Sequence, residues 1–279
     1  MIVGIDIGGS TTDAVLDTAA LPVVSVEAND PTAAAAGALG KLAHELGVEL
    51  AAVHAIAATG GGARHLGTNL LGIPVHKVPE IIAIGVGGAS LAGKERALVV
   101  SLGTGTAMVS VEHDRVEHVG GTGVGGGTLL GLAKHLLQIS RLETLERLAA
   151  GGDLSHVDLT VGDIAGGPVG RLPAHATASN FGKLGADARA EDKARGLINM
   201  IAEVIVSLSV LAARACGQRE IVLTGKLLRV RPFVERVLAT SGLFDCEFLV
   251  PPHAEYATAI GAARHLAATA SRSAESQVS

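Results

Sequence analysis

Aromatic side chains are nearly missing from this chain, which has four Phe, one Tyr and no Trp in 279 residues. The core must then be built from Ala, Val, Leu and Ile, and with 37 glycines available, close backbone approach takes over from large rings as the packing device. Cysteine is equally scarce. Cys216 and Cys246 do not form a metal-ligand spacing, and neither adjoins a motif that would activate a thiol, so both are expected to be buried, reduced and structural. No basic run occurs, and 22 Lys and Arg stand against 27 Asp and Glu for a net charge of -5. The electrostatic footprint of a nucleic-acid binder is therefore missing, and a small-molecule partner is expected. The sequence opens on a strand-like MIVGIDIG with no charged leader before a signal-type segment, which leads to the expectation of a cytoplasmic protein.

One apolar run is long enough to suggest a membrane span: residues 196–215, GLINMIAEVIVSLSVLAARA. Asn199, Glu203 and Arg214 interrupt it and charged sequence precedes it, which fits a helix buried between layers better. His135, His175 and His253 are scattered singly, without the i, i+4 pairing of a zinc site.

Glycine is abundant, and its placement carries information. Residues 120–132, GGTGVGGGTLLGL, hold seven glycines in thirteen positions and run directly into an apolar helical pattern. Such a loop presents bare backbone N–H groups at the positive end of a helix, which suits a phosphate. Two more glycine turns, GIDIGGSTTD at residues 4–13 and SLGTGT at residues 101–106, each follow a β-type apolar run. Each turn alone is also compatible with an ordinary turn in a glycine-rich protein, but three in this order point to a nucleotide.

Strands are expected at residues 1–7, 14–16 and 23–27, then a helix capped by Asp30-Pro31, strands at 53–57 and 73–78, and a helix at 81–91. From Ala97 the order repeats: strand, glycine turn, strand, tight turn at His113-Asp114, strand. Helices near 129–138 and 142–150 follow, and then an irregular segment, 151–187. The long apolar helix, a strand at 220–223, a helix near 232–239, a strand at 246–250 and a last helix at 256–266 complete the pattern. This is an internal duplication of an α/β unit: residues 1–95 form one half and 96–266 the other, with a nucleotide cleft between them. The last helix is a candidate to pack back on the first half, and residues 267–279, small and polar, are expected to be disordered.

Asp6 in GIDIGGST, the turn LGTGT and the late VLTG strand end resemble the phosphate and adenosine elements of the actin, Hsp70 and sugar-kinase superfamily, whose fold is a duplicated ribonuclease-H-like unit. HVGGTGVGGGTLLGL, with DLTVGDI at 158–164, TASNFGKL at 177–184 and AIGAARHL at 259–266, resembles the type II pantothenate kinases, also called fumble-like. The resemblance implies phosphorylation of the primary hydroxyl of pantothenate by ATP with Mg²⁺, the entry to coenzyme A, in a homodimer. It also implies a Glu as base after the strand that follows the TGGG turn; here the turn is Thr59 to Gly62 and that residue is Glu80.

Glu80 has the chemistry to take a proton from an alcohol, although an acid after Pro79 also suits a helix N-terminus. Asp6, in mid-strand, needs a partner such as Mg²⁺, directly or through water, or else serves as a turn-forming Asp. The expected nucleotide contacts are Gly8, Gly9, Ser10, Thr11, Thr104, Gly125, Gly126, Gly127, Thr128, Gly225 and Lys226, and the expected acceptor contacts are Glu80, His118, Gly121 and Thr122. Asp158, Asp163, Ser179 and Asn180 carry motif positions without an evident chemical role. Two positions depart from the family pattern: Asp13 stands where many members have Lys, as in hydantoinase and oxoprolinase ATPases, and His118 stands where characterised members have Arg. Lys226 brings a positive charge to the adenosine-side turn and is a candidate to restore what Asp13 removes. The rival readings are a kinase for another pantothenate-like or sugar alcohol, a non-catalytic nucleotide-binding regulator, and an activator of hydroxyacyl-CoA dehydratases. The last is disfavoured because two distant cysteines lack the pattern for a bridging iron–sulfur cluster.

Overall fold

In the computed structural model, which describes every residue except Ala28, Leu243 and 277–279, the N-terminal apolar alternation folds as an antiparallel meander of Ile2–Ile7 (β1), Thr12–Leu16 (β2) and Val23–Val26 (β3). Pro31–Leu46 (α1) follows. Asp30 caps it by accepting a hydrogen bond from Ala33 N at 2.7 Å, and Gly47 ends it in the left-handed conformation. Ala55–Thr59 (β4), Asn69–Leu70 (β5) and Ile73–Lys77 (β6) complete a sheet of order β3-β2-β1-β4-β6-β5, with β4 parallel to β1 and β6 parallel to β4. Glu80–Ala92 (α2) leads out of it.

The second unit contains Arg96–Leu102 (β7), Thr106–Glu112 (β8), Arg115–Thr122 (β9), Gly126–Leu137 (α3) and Leu142–Ala149 (α4). Leu159–Thr160 (β10), Val161–Ala165 (α5) and Thr177–Ser179 (β11) then give structure to the segment expected to be irregular. Ala190–Ala215 (α6), Glu220–Thr224 (β12), Arg231–Ser241 (α7), Glu247–Leu249 (β13) and Ala257–Ser276 (α8) close the chain. The main sheet here has order β9-β8-β7-β12-β13, antiparallel through the meander and parallel beyond it. Position for position this repeats β3-β2-β1-β4-β6, so the duplication expected from the sequence holds at the level of strand order.

Side-chain alternation puts the two faces of each sheet to different uses. Val3, Ile5 and Ile7 pack with Ala35, Ala38 and Leu39 of α1, whereas Ala57 of β4 packs with Ala262 of α8 on the other face. In the second sheet Leu98, Val100 and Leu102 meet α6, while Ala97, Val99 and Val222 meet Ile84 and Ala89 of α2. Two helices therefore lie between the sheets, and they are exchanged: α2 leaves the first unit to cover the second sheet, and α8 returns from the second unit to cover the first. They cross at backbone contact. A Cβ at Gly87 would lie 1.9 Å from the Ala257 carbonyl oxygen, and one at Gly261 would lie 2.0 Å from that of Ala83, so only glycine fits at either position.

Two expectations need correction. The tail from Ala267 continues α8 as far as Ser276, because Ala267, Ala268 and Ala270 are strong helix formers in register with the preceding turns. Cys216 and Cys246 are half-buried, both against the core around α6, and burial pushes the Cys216 thiol up. The long apolar run is α6, buried as expected, with Leu197, Ile198, Ile201 and Ile205 in the core.

Candidate active site

Strand register assembles a polar row on the face of the first sheet that looks toward the second. Ser25 is opposite Asp13, Asp13 opposite Asp6, and Asp6 opposite Thr59, across β3, β2, β1 and β4. Register partners point to the same face, so four polar side chains line up near the strand ends. Asp6 has its pKa raised to about 7, by burial first and then by the nearby Asp13 and Glu80 carboxylates, with Lys226 opposing. The Thr59 hydroxyl is fully buried without a hydrogen-bond partner. Gly60 follows at φ 83°, where a Cβ would come within 2.3 Å of Asp6 Oδ1.

The three glycine turns converge on this row. Gly8 N donates to Thr11 O at 3.0 Å to close the first turn, leaving Gly9 and Ser10 exposed. A Cβ on Gly9 would be 3.7 Å from Thr104 Oγ1, so the first and second turns face each other across the lobes. The third turn is zipped onto the second: Gly126 N donates to Gly103 O and Gly127 N to Thr104 O, each at 2.9 Å. Those two N–H groups are spent inside the protein, contrary to the expectation that they face ATP. The glycines are needed for close approach instead, since a Cβ at Gly125 would lie 2.7 Å from the Gly105 carbonyl and one at Gly127 would lie 2.7 Å from Thr104 Cγ2. Thr128 is also engaged locally, donating to Gly123 O at 2.8 Å and accepting from Gly125 N at 3.3 Å.

Gly225 likewise answers to packing. At φ 98° its position would bring a Cβ within 2.5 Å of Leu102 O, and its N–H donates to Ala254 O at 2.9 Å. It delivers Lys226 across the interlobe gap to Asp13 Oδ1 at 2.6 Å and Ser25 Oγ at 3.1 Å, and Ser25 in turn donates to Asp13. Tyr256 flanks this lysine, its ring centroid 5.9 Å from Lys226 Nζ and 5.4 Å from Arg229 Cζ. Ser25 was missed by sequence reasoning; counting the pleat of β3 outward from Asp6 and Asp13 would have found it.

Glu80 is exposed in the first turn of α2, after Pro79, and its charge is felt at Asp6. The acceptor candidates His118, Gly121 and Thr122 lie along β9, which packs on α2: a Cβ at Gly85 would be 2.5 Å from Val116 Cγ1. His118 is exposed opposite Val109 beside a β-bulge, and Thr122 Oγ1 accepts from Val124 N at 3.2 Å at the mouth of the third turn.

The motif residues without assigned chemistry are engaged in local contacts away from the three turns. Asp158 is buried, accepting from Phe181 N at 2.8 Å and from Asn199 Nδ2 at 2.6 Å, and burial raises its pKa. Asp163 caps α5 through Thr160 and pairs with Lys183 at 2.5 Å, which lowers its pKa to about 2. Asn180 donates to Glu203 at 2.9 Å, and Ser179 pairs with Leu159 in the small sheet. An open cavity of about 1000 Å³ elsewhere, lined by Val86, Ser90, Lys94, His113, Arg264 and Arg272 among others, touches none of the three turns. It is not the site described here.

Two sheets of the same strand order, with phosphate-type turns meeting between them, define the two-lobed ATPase fold of actin, Hsp70 and the sugar kinases. The fold match extends to the activator of 2-hydroxyisocaproyl-CoA dehydratase from Clostridium difficile with bound ADPNP (TM-score 0.71, 16% identity, 99% of this chain and 97% of that one). It extends also to a ROK hexokinase from Thermus thermophilus (TM-score 0.52, 18% identity, 94% and 97%). At such identities these likenesses show the fold alone. The chain belongs to the Fumble family, whose profile matches residues 96–265. The type II pantothenate kinase of Oceanobacillus iheyensis is 36% identical over 187 residues, 64% of this chain and 69% of the relative. That of Bacillus anthracis is 34% identical over 134 residues, spanning about half of each chain (47% and 49%). A mouse 4'-phosphopantetheine phosphatase matches at 35% over 175 residues, 59% of this chain but 21% of the mouse protein.

Proposed function

We propose that this chain is an ATP-dependent kinase that phosphorylates the primary hydroxyl of pantothenate, as the names of its Fumble-family relatives suggest. The observation that carries the reading is the meeting of all three phosphate-type turns beside Asp6, with a free carboxylate, Glu80, at the adjacent helix start. Glu80 accepts the hydroxyl proton as the new P–O bond forms, and the Thr104 hydroxyl and the Gly9 and Ser10 backbone hold phosphate oxygens. Asp6 is the carboxylate that would hold a divalent cation, and the unpartnered Thr59 hydroxyl beside it agrees with a polar ligand there; no group of three or more His, Cys, Asp or Glu side chains gathers as ligands among the described residues, so water would complete the coordination. Mg²⁺ at Asp6 would neutralise phosphate charge when bound.

Incubation with ATP, Mg²⁺ and a panel of pantothenate-like alcohols, read by mass spectrometry, tests this. Phosphopantothenate is the expected product. Phosphorylation of a different alcohol would correct the acceptor and locate the cause at His118, the exposed imidazole where relatives carry a guanidinium. No product with ATP bound would favour the non-catalytic regulator.

We also infer a cytoplasmic homodimer. The dimer is supported by the family resemblance and by the exposed apolar side chains Ile164, Val169, Leu172 and Leu184 in one segment. Light scattering that gives the mass of a single chain across the micromolar range would overturn it.

A further inference from the structure

The polar row poses an electrostatic problem for any phosphate ligand. Asp6 and Asp13 sit side by side and Glu80 is near, so a polyphosphate approaching the first turn meets carboxylates where a cation is wanted. Among the groups that act on Asp6, Lys226 is the cation, and it arrives from the other lobe. Its ammonium has three N–H donors; Asp13 at 2.6 Å and Ser25 at 3.1 Å occupy two. The Asp13 side chain is 7% exposed and that of Lys226 is 23% exposed, so the pair is sheltered and its geometry is fixed at both ends. The ammonium also lies over the Tyr256 ring, 5.9 Å from its centroid.

Resting on the nucleotide-cleft reading above, we propose that Lys226 is the phosphate-binding cation of this cleft and that Asp13 and Ser25 are positioning residues that hold it from the opposite lobe. The third N–H then points its charge at the entering phosphate while the other two stay anchored. Because the anchor lies on β2 and β3 and the lysine follows β12, the cation is complete only when the lobes are together. Phosphate binding and lobe closure become one event. A lysine placed on the first turn itself would bind phosphate in the open cleft equally well; this arrangement does not.

The sign of one substitution separates this proposal from plain electrostatics. Asp13→Asn deletes a carboxylate beside the phosphates, which by charge alone should tighten ATP. If Asp13 is the anchor, the same change should weaken ATP several-fold, because the lysine is released.

The experiment is calorimetric titration of ATP with Mg²⁺, and of adenosine, into wild type, Asp13→Asn, Lys226→Met and the double variant. Expected are a loss of about tenfold in ATP affinity for Lys226→Met, the size of a charge-assisted contact, and a several-fold loss for Asp13→Asn. Asp13→Asn should instead tighten ATP when Lys226→Met is already present, and adenosine affinity should not change in any variant. Tighter ATP binding by Asp13→Asn with Lys226 in place would overturn the proposal. So would equal losses for ATP and adenosine in Lys226→Met, or no loss at all. Should Asp13→Asn fail to fold, as shown by lost adenosine binding, Ser25→Ala replaces it: about threefold weaker ATP supports the anchor, and unchanged ATP binding overturns it. Wild type that binds ATP without phosphorylating any alcohol of the panel would refute the kinase reading and leave these binding outcomes decisive.

Discussion

Asp6 holds its proton in the folded protein to about pH 7, whereas the unfolded chain releases it near 3.8. Between those values the native state binds more protons than the unfolded one, so its stability falls as pH rises through the window. Asp6→Asn should therefore raise the melting temperature at about pH 8, with the gain fading to nothing near pH 4. A gain that is equal at both pH values would show that burial alone, without ionisation, sets the cost of Asp6. Glu80 is tested differently. Glu80→Gln keeps size and hydrogen bonding but removes the proton acceptor, so ATP binding should survive while turnover drops by roughly 10² to 10⁴-fold. Near-normal turnover in the Gln variant would take Glu80 out of the mechanism. The sequence revealed both carboxylates, because an acid in an apolar strand and an acid after a strand-Pro stop are local anomalies. Ser25 was missed, since a serine in a short, half-buried strand is unremarkable until its register with Asp13 is counted.

Turns and helices show a similar division. The three glycine turns were legible because each interrupts an apolar run, but their purpose was only partly so. Gly126 and Gly127 looked like bare donors, and only three-dimensional contact shows their N–H groups given to Gly103 and Thr104. The start of α1 followed from Asp30-Pro31, whereas the extent of α8 did not, because small residues such as those from Ala267 onward serve helices and loose tails alike. The crossing of α2 and α8 was half legible: the last helix was expected to pack back on the first half, as α8 does, but nothing in the periodicity of α2 says that it covers the second sheet. Gly87→Ala tests it. Its new methyl would meet the Ala257 carbonyl oxygen at 1.9 Å, a backbone group that cannot rotate away, so a loss of about 1–3 kcal/mol is expected in chemical denaturation. Gly40→Ala on α1, with nothing within 4 Å, serves as the control and should be neutral or stabilising. Equal effects at the two sites would mean that the helices do not touch at Gly87 in solution.

For the molecule as a whole, duplication was readable, and of the exchange only the return of the last helix was. The repeated meander is visible as two strand-turn-strand patterns about a hundred residues apart, and strand order confirms it. Residues 1–95 nevertheless do not make a self-sufficient lobe, because one face of their sheet is covered by α8 from the far end of the chain, and α2 lies on the other lobe. Expressed alone, residues 1–95 should be insoluble or rapidly exchanging by hydrogen exchange. Expressed with residues 96–279, they should recover protection in β1 and β4. A stably protected 1–95 fragment would contradict the exchanged-helix arrangement.

Tyr256 rests against Lys226 and Arg229, and it is the chain's single tyrosine in a protein without tryptophan. The scarcity that forced an aliphatic core has an optical consequence: all near-ultraviolet emission comes from one phenol, beside the lysine that bridges the lobes. The unlabelled protein is thus its own sensor of that bridge. Tripolyphosphate, which is transparent where tyrosine is excited, should change the intensity of the emission as it draws on the ammonium, and sodium chloride at equal ionic strength should leave it unchanged.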